Sequence, residues 1–321
     1  MADTIPDQLS GVFPVLPTPF DAQGAPDVQA LRVLVRYLLA ARVDGLTFPG
    51  VASEVAKLDL NERQQLVSVV MSEVAGRIPV IVGASSSDIT TTVNLARCAM
   101  QSGGQVLMIA APPERPTLAQ QIAYFSEIAA AAPAAVLMLQ NVPPPVGAGL
   151  EPEVLLQLMA AVPAIRYVKE ETLPSGQRLS ALLQAAPAQL AGVFGGAGGR
   201  YITDELRRGA AGTMPAIELV EVHVALFAAH RAGDVALVRA LFTRMLPVLN
   251  VQAVFRWSLT KYVLMQRGLI PCMLQRMPGP VLDAMDRADV DAFLSDIDDL
   301  LLPHAVLQQC VGSCAVPETQ P

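Results

Sequence analysis

The sequence predicts an α/β chain, a (β/α)8 TIM barrel followed by a C-terminal helical extension, and three observations point there. Eight short aliphatic or β-branched blocks, each bounded by Gly or Pro, occur before about residue 216, as buried parallel strands require. Longer segments with apolar residues at three- and four-residue spacing alternate with them. After residue 217 the strand-like blocks stop. Eight strand–helix alternations fit a closed parallel barrel. A doubly wound sheet would place a Gly-rich turn after its first strand, where the chain instead reads Leu16-Pro17-Thr18-Pro19-Phe20. The Gly-rich stretch Gly195-Gly196-Ala197-Gly198-Gly199 follows the seventh block, too late for that role.

The predicted strands are Val12–Leu16, Gly45–Phe48, Pro79–Val82, Val106–Ile109, Ala135–Leu139, Ile165–Lys169, Leu190–Phe194 and Gly212–Met214. Helical segments include Asp27–Arg42, Asn61–Gly76, Asp88–Ser102 and Thr117–Ala131, whose first residues suit an N-cap. Beyond the barrel, Glu218–Ala232, Asp234–Leu249, Ala253–Arg267 and Val281–Leu301 are helix-patterned, with Gly233, Gly268 and Pro278-Gly279-Pro280 as punctuation. The expected division is residues 1–217 as barrel, 218–302 as an extension packed on it, and 303–321 as a loose tail.

With 52% hydrophobic and 16% charged residues in 321, the chain can build a large core and is not a disordered one. Its net charge of −7 argues against a nucleic-acid partner. No uninterrupted apolar run reaches the roughly 18 residues of a membrane span, and Met1–Gln8 has no basic n-region. The sequence therefore predicts a soluble, cytoplasmic protein without membrane contact. Four cysteines make no disulfide framework, and Cys310 and Cys314 lack a following His pair, so no metal site is expected. The three histidines fall late; His223 and His230 suit surface or packing roles.

Only three of the 22 basic residues are lysines: Lys57, Lys169 and Lys261. Lys57 and Lys261 are expected to be solvated. Lys169 ends an apolar block at the C-terminal mouth of the sixth strand, where barrel enzymes build their sites. Apolar surroundings disfavour an ammonium, and the neutral amine condenses with a 2-oxo acid to a Schiff base. The alternative is a strand-end charge capped by Glu170 or Glu171. Residues two apart on a strand share a face, so Tyr167, Lys169 and Glu171 group together, with Tyr167 one layer below and Glu171 at the rim. Glu171 is the candidate general acid–base, or else a salt-bridge partner of an arginine. Tyr167 is a candidate for the amine protons, or else barrel filling. Thr18 is a candidate donor to the substrate carboxylate, or part of a Thr-Pro turn. Gly195 is a candidate substrate contact, because anion-facing loops occur late in barrels. Arg256 and Trp257 can meet either a substrate tail or a neighbouring subunit.

Motifs from Gly11 to Leu301 sharpen this reading. They are Gly11-Val12-Phe13-Pro14-Val15-Leu16-Pro17-Thr18-Pro19-Phe20, Asp44-Gly45 into Gly50-Val51-Ala52-Ser53-Glu54, Arg115-Pro116-Thr117, Gln140-Asn141-Val142-Pro143, Lys169-Glu170 and Gly209-Ala210-Ala211-Gly212. Their order and spacing resemble the dihydrodipicolinate synthase / N-acetylneuraminate lyase family of class I aldolases and dehydratases. The resemblance implies that Lys169 is the Schiff-base lysine and that Val51, Ala52 and Ser53 hold the substrate carboxylate through backbone N–H groups. It also implies a homotetramer or dimer. No metal or organic cofactor is expected, because the protonated imine is the electron sink.

The chain departs from the best-known members at several places. Val51 and Ala52 replace two hydroxyl residues, Gln140 replaces the relay tyrosine, Pro112 and Pro113 replace an aromatic pair, and Pro145 replaces an arginine. These losses argue against lysine biosynthesis and sialic acid cleavage. Gln140, the Ser53-Glu54 pair and Lys169-x-Glu171-Thr172 resemble the branch that dehydrates 2-keto-3-deoxy sugar acids such as L-2-keto-3-deoxyarabonate. Gln140 then holds a water that serves the amine. The alternatives are a pyruvate-dependent aldolase or synthase-type condensation, and a non-catalytic 2-oxo-acid binding protein.

Overall fold

The computed structural model describes residues 8–312. Residues 1–7 and Cys314 lie outside that range, and with them most of the leader reading and half of the cysteine pair. The strands are β1 (Gly11–Val12), β2 (Leu46–Thr47), β3 (Val80–Gly83), β4 (Val106–Ala110), β5 (Val136–Asn141), β6 (Ile165–Glu170), β7 (Gly192–Gly195) and β8 (Gly212–Thr213). All pair in parallel in the order β1-β8-β7-β6-β5-β4-β3-β2. A bridge between Val15 and Thr47 closes the ring, so the barrel expectation holds.

The ring of helices comprises α1 (Val28–Ala40), α2 (Leu60–Val74), α3 (Ile89–Gln101), α4 (Leu118–Ala131), α5 (Pro152–Ala161), α6 (Ser175–Gln184), α7 (Ile202–Arg207) and α8 (Val220–Arg231). Asp27, Asp88 and Thr117 cap their helices as expected. For α2 the cap is Asp59, not Asn61, because Glu62 three residues on completes a capping box. Alternation along the strands separates two cores. Leu107, Ile109, Leu137, Leu139, Val168 and Val193 face the helices. Phe13, Met108, Met138, Tyr167, Phe194 and Met214 fill the barrel.

Among the boundaries that differ from expectation, three have a clear physical reason. β1 is short because Pro14 and Pro17 offer no N–H, although Phe13, Val15 and Leu16 still donate to neighbouring strands. Helix α8 packs beside β1 as the barrel's eighth helix, so the extension begins after it rather than at residue 218. The extension is α9 (Val235–Phe255), α10 (Trp257–Gln266), α11 (Ala284–Ser295) and α12 (His304–Gly312). The loose tail expected from residue 303 is corrected by α12, which buries Leu307 and Cys310 and accepts from Arg36 Nη1 at the Cys310 carbonyl. Helix α9 is long and apolar enough by composition to cross a membrane, but Leu241, Met245, Val248 and Leu249 are buried within the protein.

Candidate active site

Parallel register sets Gln140 beside Lys169 and Met138 beside Tyr167 at the ends of β5 and β6. Strand alternation turns all four inward, with the polar pair Gln140 and Lys169 one layer nearer the mouth. Lys169 is 4% exposed. Its Nζ lies 3.0 Å from Glu171 Oε1. Gln140 Nε2 donates to Glu171 Oε2 at 2.7 Å, and the Ala197 N–H donates to Oε1 at 3.3 Å. Burial pushes the Glu171 carboxyl up, but the Lys169 ammonium and the Gln140 and Ala197 donors outweigh it and hold it below the usual carboxylate range.

This geometry corrects two expectations. Lys169 does not stand in wholly apolar surroundings, and Glu171 neither waits at the rim nor pairs with an arginine. The carboxylate touches the amine directly. Both groups line a cavity of ≈ 580 Å³, together with Val51, Ala52, Pro143, Pro145, Arg200, Arg256 and Trp257. That is room for a small metabolite.

Val51–Ser53 forms a single 3₁₀ turn after β2. Val51 and Ala52 line the cavity, and the first N–H groups of a helical turn have no acceptor within it. Ser53 is fully buried: its hydroxyl donates to the Leu16 carbonyl at 2.5 Å and accepts from the Gly50 N–H at 2.9 Å. Its own N–H donates to Gly50 at 3.0 Å, and Thr18 Oγ1 donates to the Ser53 carbonyl at 2.7 Å. Neither Ser53 nor Thr18 lines the cavity. Their expected contact with substrate is corrected: they brace the loop from behind, since buried hydroxyls must find partners.

Glu54 ends that turn with a left-handed backbone, φ 58°. Its carboxylate pairs with Lys261 Nζ and accepts the Arg276 and Met277 N–H groups, both at 2.6 Å. Lys261 is therefore not solvated. It is fully buried, 4.2 Å from the Phe20 ring centroid, and burial lowers its pKa by more than Glu54 restores. On the cavity side, Trp257 Nε1 donates to the Val51 carbonyl at 3.0 Å.

Tyr167 and Gly195 stand apart from the cavity. The Tyr167 hydroxyl accepts from the Leu9 N–H at 2.9 Å, and the ring packs edge-on against Phe194. Barrel filling is its observed role, and the expected proton transfer to the amine has no contact behind it. A side chain at Gly195 would put its Cβ 1.8 Å from Glu205 Oε2, so that glycine makes room for a buried carboxyl rather than a substrate. Glu205 accepts from Ser175 Oγ at 2.7 Å, and burial raises its pKa to about 7. Asn141 Nδ2 donates to Glu170 at 2.8 Å and to the Leu150 carbonyl at 2.9 Å, fixing the loop after β5. Arg115 stacks on Tyr124 outside the cavity. Sequence reasoning missed Arg200, whose signal was its place directly after the Gly-rich stretch, and Glu205, which had no signal.

Comparison with known proteins agrees with this architecture. Residues 8–297 match the model of the dihydrodipicolinate synthetase family. The 4-hydroxy-tetrahydrodipicolinate synthase of Maridesulfovibrio salexigens is 29% identical over 77% of this chain and 84% of its own length. That of Thermomicrobium roseum is 35% identical, but over 54% of this chain and 60% of its own length. The crystal structure of dihydrodipicolinate synthase from Rhodopseudomonas palustris superposes with a TM-score of 0.83 at 28% identity, covering 89% of this chain and 97% of that one. With a parallel eightfold barrel, a lysine at the mouth of its sixth strand and a family match across almost every described residue, the chain belongs to the dihydrodipicolinate synthetase family of lyases.

Proposed function

We propose that the protein is a Schiff-base-forming lyase that dehydrates a 2-keto-3-deoxy sugar acid. The observation that carries this reading is the 3.0 Å Lys169–Glu171 pair, oriented by Gln140 and open to the cavity. Lys169 Nζ passes a proton to Glu171 and adds to the C2 carbonyl. The carbonyl oxygen takes one proton from the nitrogen and the other back from Glu171 and leaves as water; a protonated imine and a free Glu171 carboxylate remain. The imine draws electrons from C3, whose proton passes to Glu171, and an enamine forms. The enamine electrons expel the C4 hydroxyl, which takes the proton from Glu171 and departs as water. Hydrolysis of the imine frees Lys169 and an unsaturated 2-oxo acid. The substrate carboxylate sits on the Val51 and Ala52 amides. A carboxylate that already touches the amine supplies the proton carriage a relay tyrosine would otherwise give.

The names of the relatives favour a second reading, condensation of a 2-oxo acid with an aldehyde, which shares the first intermediate. Borohydride with pyruvate, followed by peptide mass spectrometry, tests the shared step: an irreversible adduct on Lys169 is expected, and its absence would sink both readings. Turnover of 2-keto-3-deoxy sugar acids against pyruvate plus aspartate semialdehyde then separates them. We also infer a homo-oligomer, dimer or tetramer. Support comes from the exposure of Val235, Val254, Val281 and Met285 on and beside the extension helices.

A further inference from the structure

The cavity holds more positive charge than the chemistry above uses. Among its described lining residues Glu171 is the one carboxylate, and Lys169 pairs with it. Arg200 and Arg256 line the same cavity. Arg200 Nη1 donates to the neutral Gln252 Oε1 at 2.5 Å. The Arg256 guanidinium makes no hydrogen bond or ion pair among the described residues. Its backbone is held at φ 38°, ψ −105°, between α9 and α10, a conformation that L-residues rarely adopt. Such strain persists where surrounding structure imposes it, and it clusters at ligand clamps. The very next residue, Trp257, ties its indole to the Val51 carbonyl of the carboxylate loop. The junction that strains Arg256 is thus anchored on one ligand-facing segment while presenting a free guanidinium to the same cavity.

On the Schiff-base reading, which this inference deepens and on which it rests, the 2-oxo acid's own carboxylate occupies neutral amides. The Arg256 guanidinium then has no anion to answer it, while Arg200 has only the buried Glu218 carboxyl in electrostatic reach, and a guanidinium fork suits a carboxylate or a phosphate. We propose that the substrate carries a second anionic group at its far end, a carboxylate or phosphate ester, and that Arg256, with Arg200 beside it, selects for that group. A sugar acid ending in a hydroxymethyl group is then the poorer substrate.

The test compares three 2-keto-3-deoxy acids of equal carbon chain length, ending in carboxylate, phosphate ester or hydroxymethyl. Wild-type protein is expected to favour one or both anionic termini by about 10- to 100-fold in kcat/KM, the size of one charge-assisted hydrogen bond. Arg256→Gln should erase that preference chiefly through KM, and Arg256→Lys should keep part of it. A wild-type enzyme that turns over the hydroxymethyl acid as well as the anionic ones overturns the proposal without any variant. So does a preference that survives intact in Arg256→Gln. Borohydride trapping of pyruvate on wild-type protein keeps the two failures apart: no adduct removes the Schiff-base reading, whereas an adduct without terminal preference removes this inference alone.

Discussion

On the proposed mechanism the Lys169–Glu171 contact would give one carboxylate several proton transfers, so the sharpest expectation concerns Glu171. Glu171→Gln keeps the shape and the Gln140 neighbour but cannot carry a proton. It should lower kcat by about 10²- to 10⁴-fold, the usual share of general acid–base catalysis. Borohydride trapping with pyruvate, which needs only the amine, should persist more slowly; turnover equal to wild type would remove Glu171 from the mechanism. At this scale the lysine was legible because lysine is rare in the chain and the block it ends is apolar. Of the two roles read for Tyr167 the geometry fits barrel filling, because alternation fixes the face of a residue but not the depth of its function. Two positions along a strand are roughly 7 Å, enough to carry its hydroxyl to the Leu9 amide instead of the amine. Ser53 was expected to reach substrate through its backbone N–H, which the turn takes up at Gly50, and of the two readings of Thr18 the structural one fits. A hydroxyl near a ligand loop is satisfied by whatever carbonyl burial brings to it, and those were Leu16 and Ser53 itself.

Elements explain how the loop after β2 holds its shape. Three fasteners tie it to the extension: the Trp257 indole on the Val51 carbonyl, the buried Glu54–Lys261 pair, and the Arg276 and Met277 amides on Glu54. Lys261→Met would leave an uncompensated charge in the protein interior. It should destabilise by about 3–5 kcal/mol, while Glu54→Gln with Lys261→Met should recover part of that loss. Thermal or urea unfolding of both variants checks this; equal stability of single and double variants would show that the pair is not coupled. Trp257→Phe removes one hydrogen bond of about 1 kcal/mol and should raise KM for a 2-oxo acid while sparing the fold. Helix caps were legible because Asp and Thr at a pattern boundary have a local job, and the α2 cap was missed where a stronger local box lay two residues earlier. The Glu54–Lys261 pair was illegible, since 207 residues of chain separate partners that only the closed barrel and its extension bring together.

Whole-molecule stability should depend on pH through buried groups near the β7–β8 side of the barrel and the helices that cover it. Burial raises the carboxyls of Glu205 and Glu218 to about 7, with Ser175 and Thr260 as their hydroxyl donors. Each therefore retains its proton in the folded chain over a range where the unfolded chain has released it. Their contribution is complete below the ordinary carboxyl value near 4.5 and is lost as pH rises toward 7. The ceiling is on the order of 3 kcal/mol for each. Glu170, also raised by burial, acts in the same direction. His223 opposes them: burial lowers it to about 4, so its contribution is present above 6.5 and lost as pH falls toward 4. Glu62, Glu73 and Glu171 are held low and act below this window. Two strongly raised carboxyls against one lowered histidine leave a net loss of stability as pH climbs from 4.5 to 7. The melting temperature should fall across that range, and Glu205→Gln with Glu218→Gln should abolish or reverse the fall, because the rising His223 contribution is then opposed only by Glu170. A double variant that retained the full wild-type slope would mean that neither carboxyl holds its proton in the folded protein, and that the Glu205 slot beside Gly195 admits water.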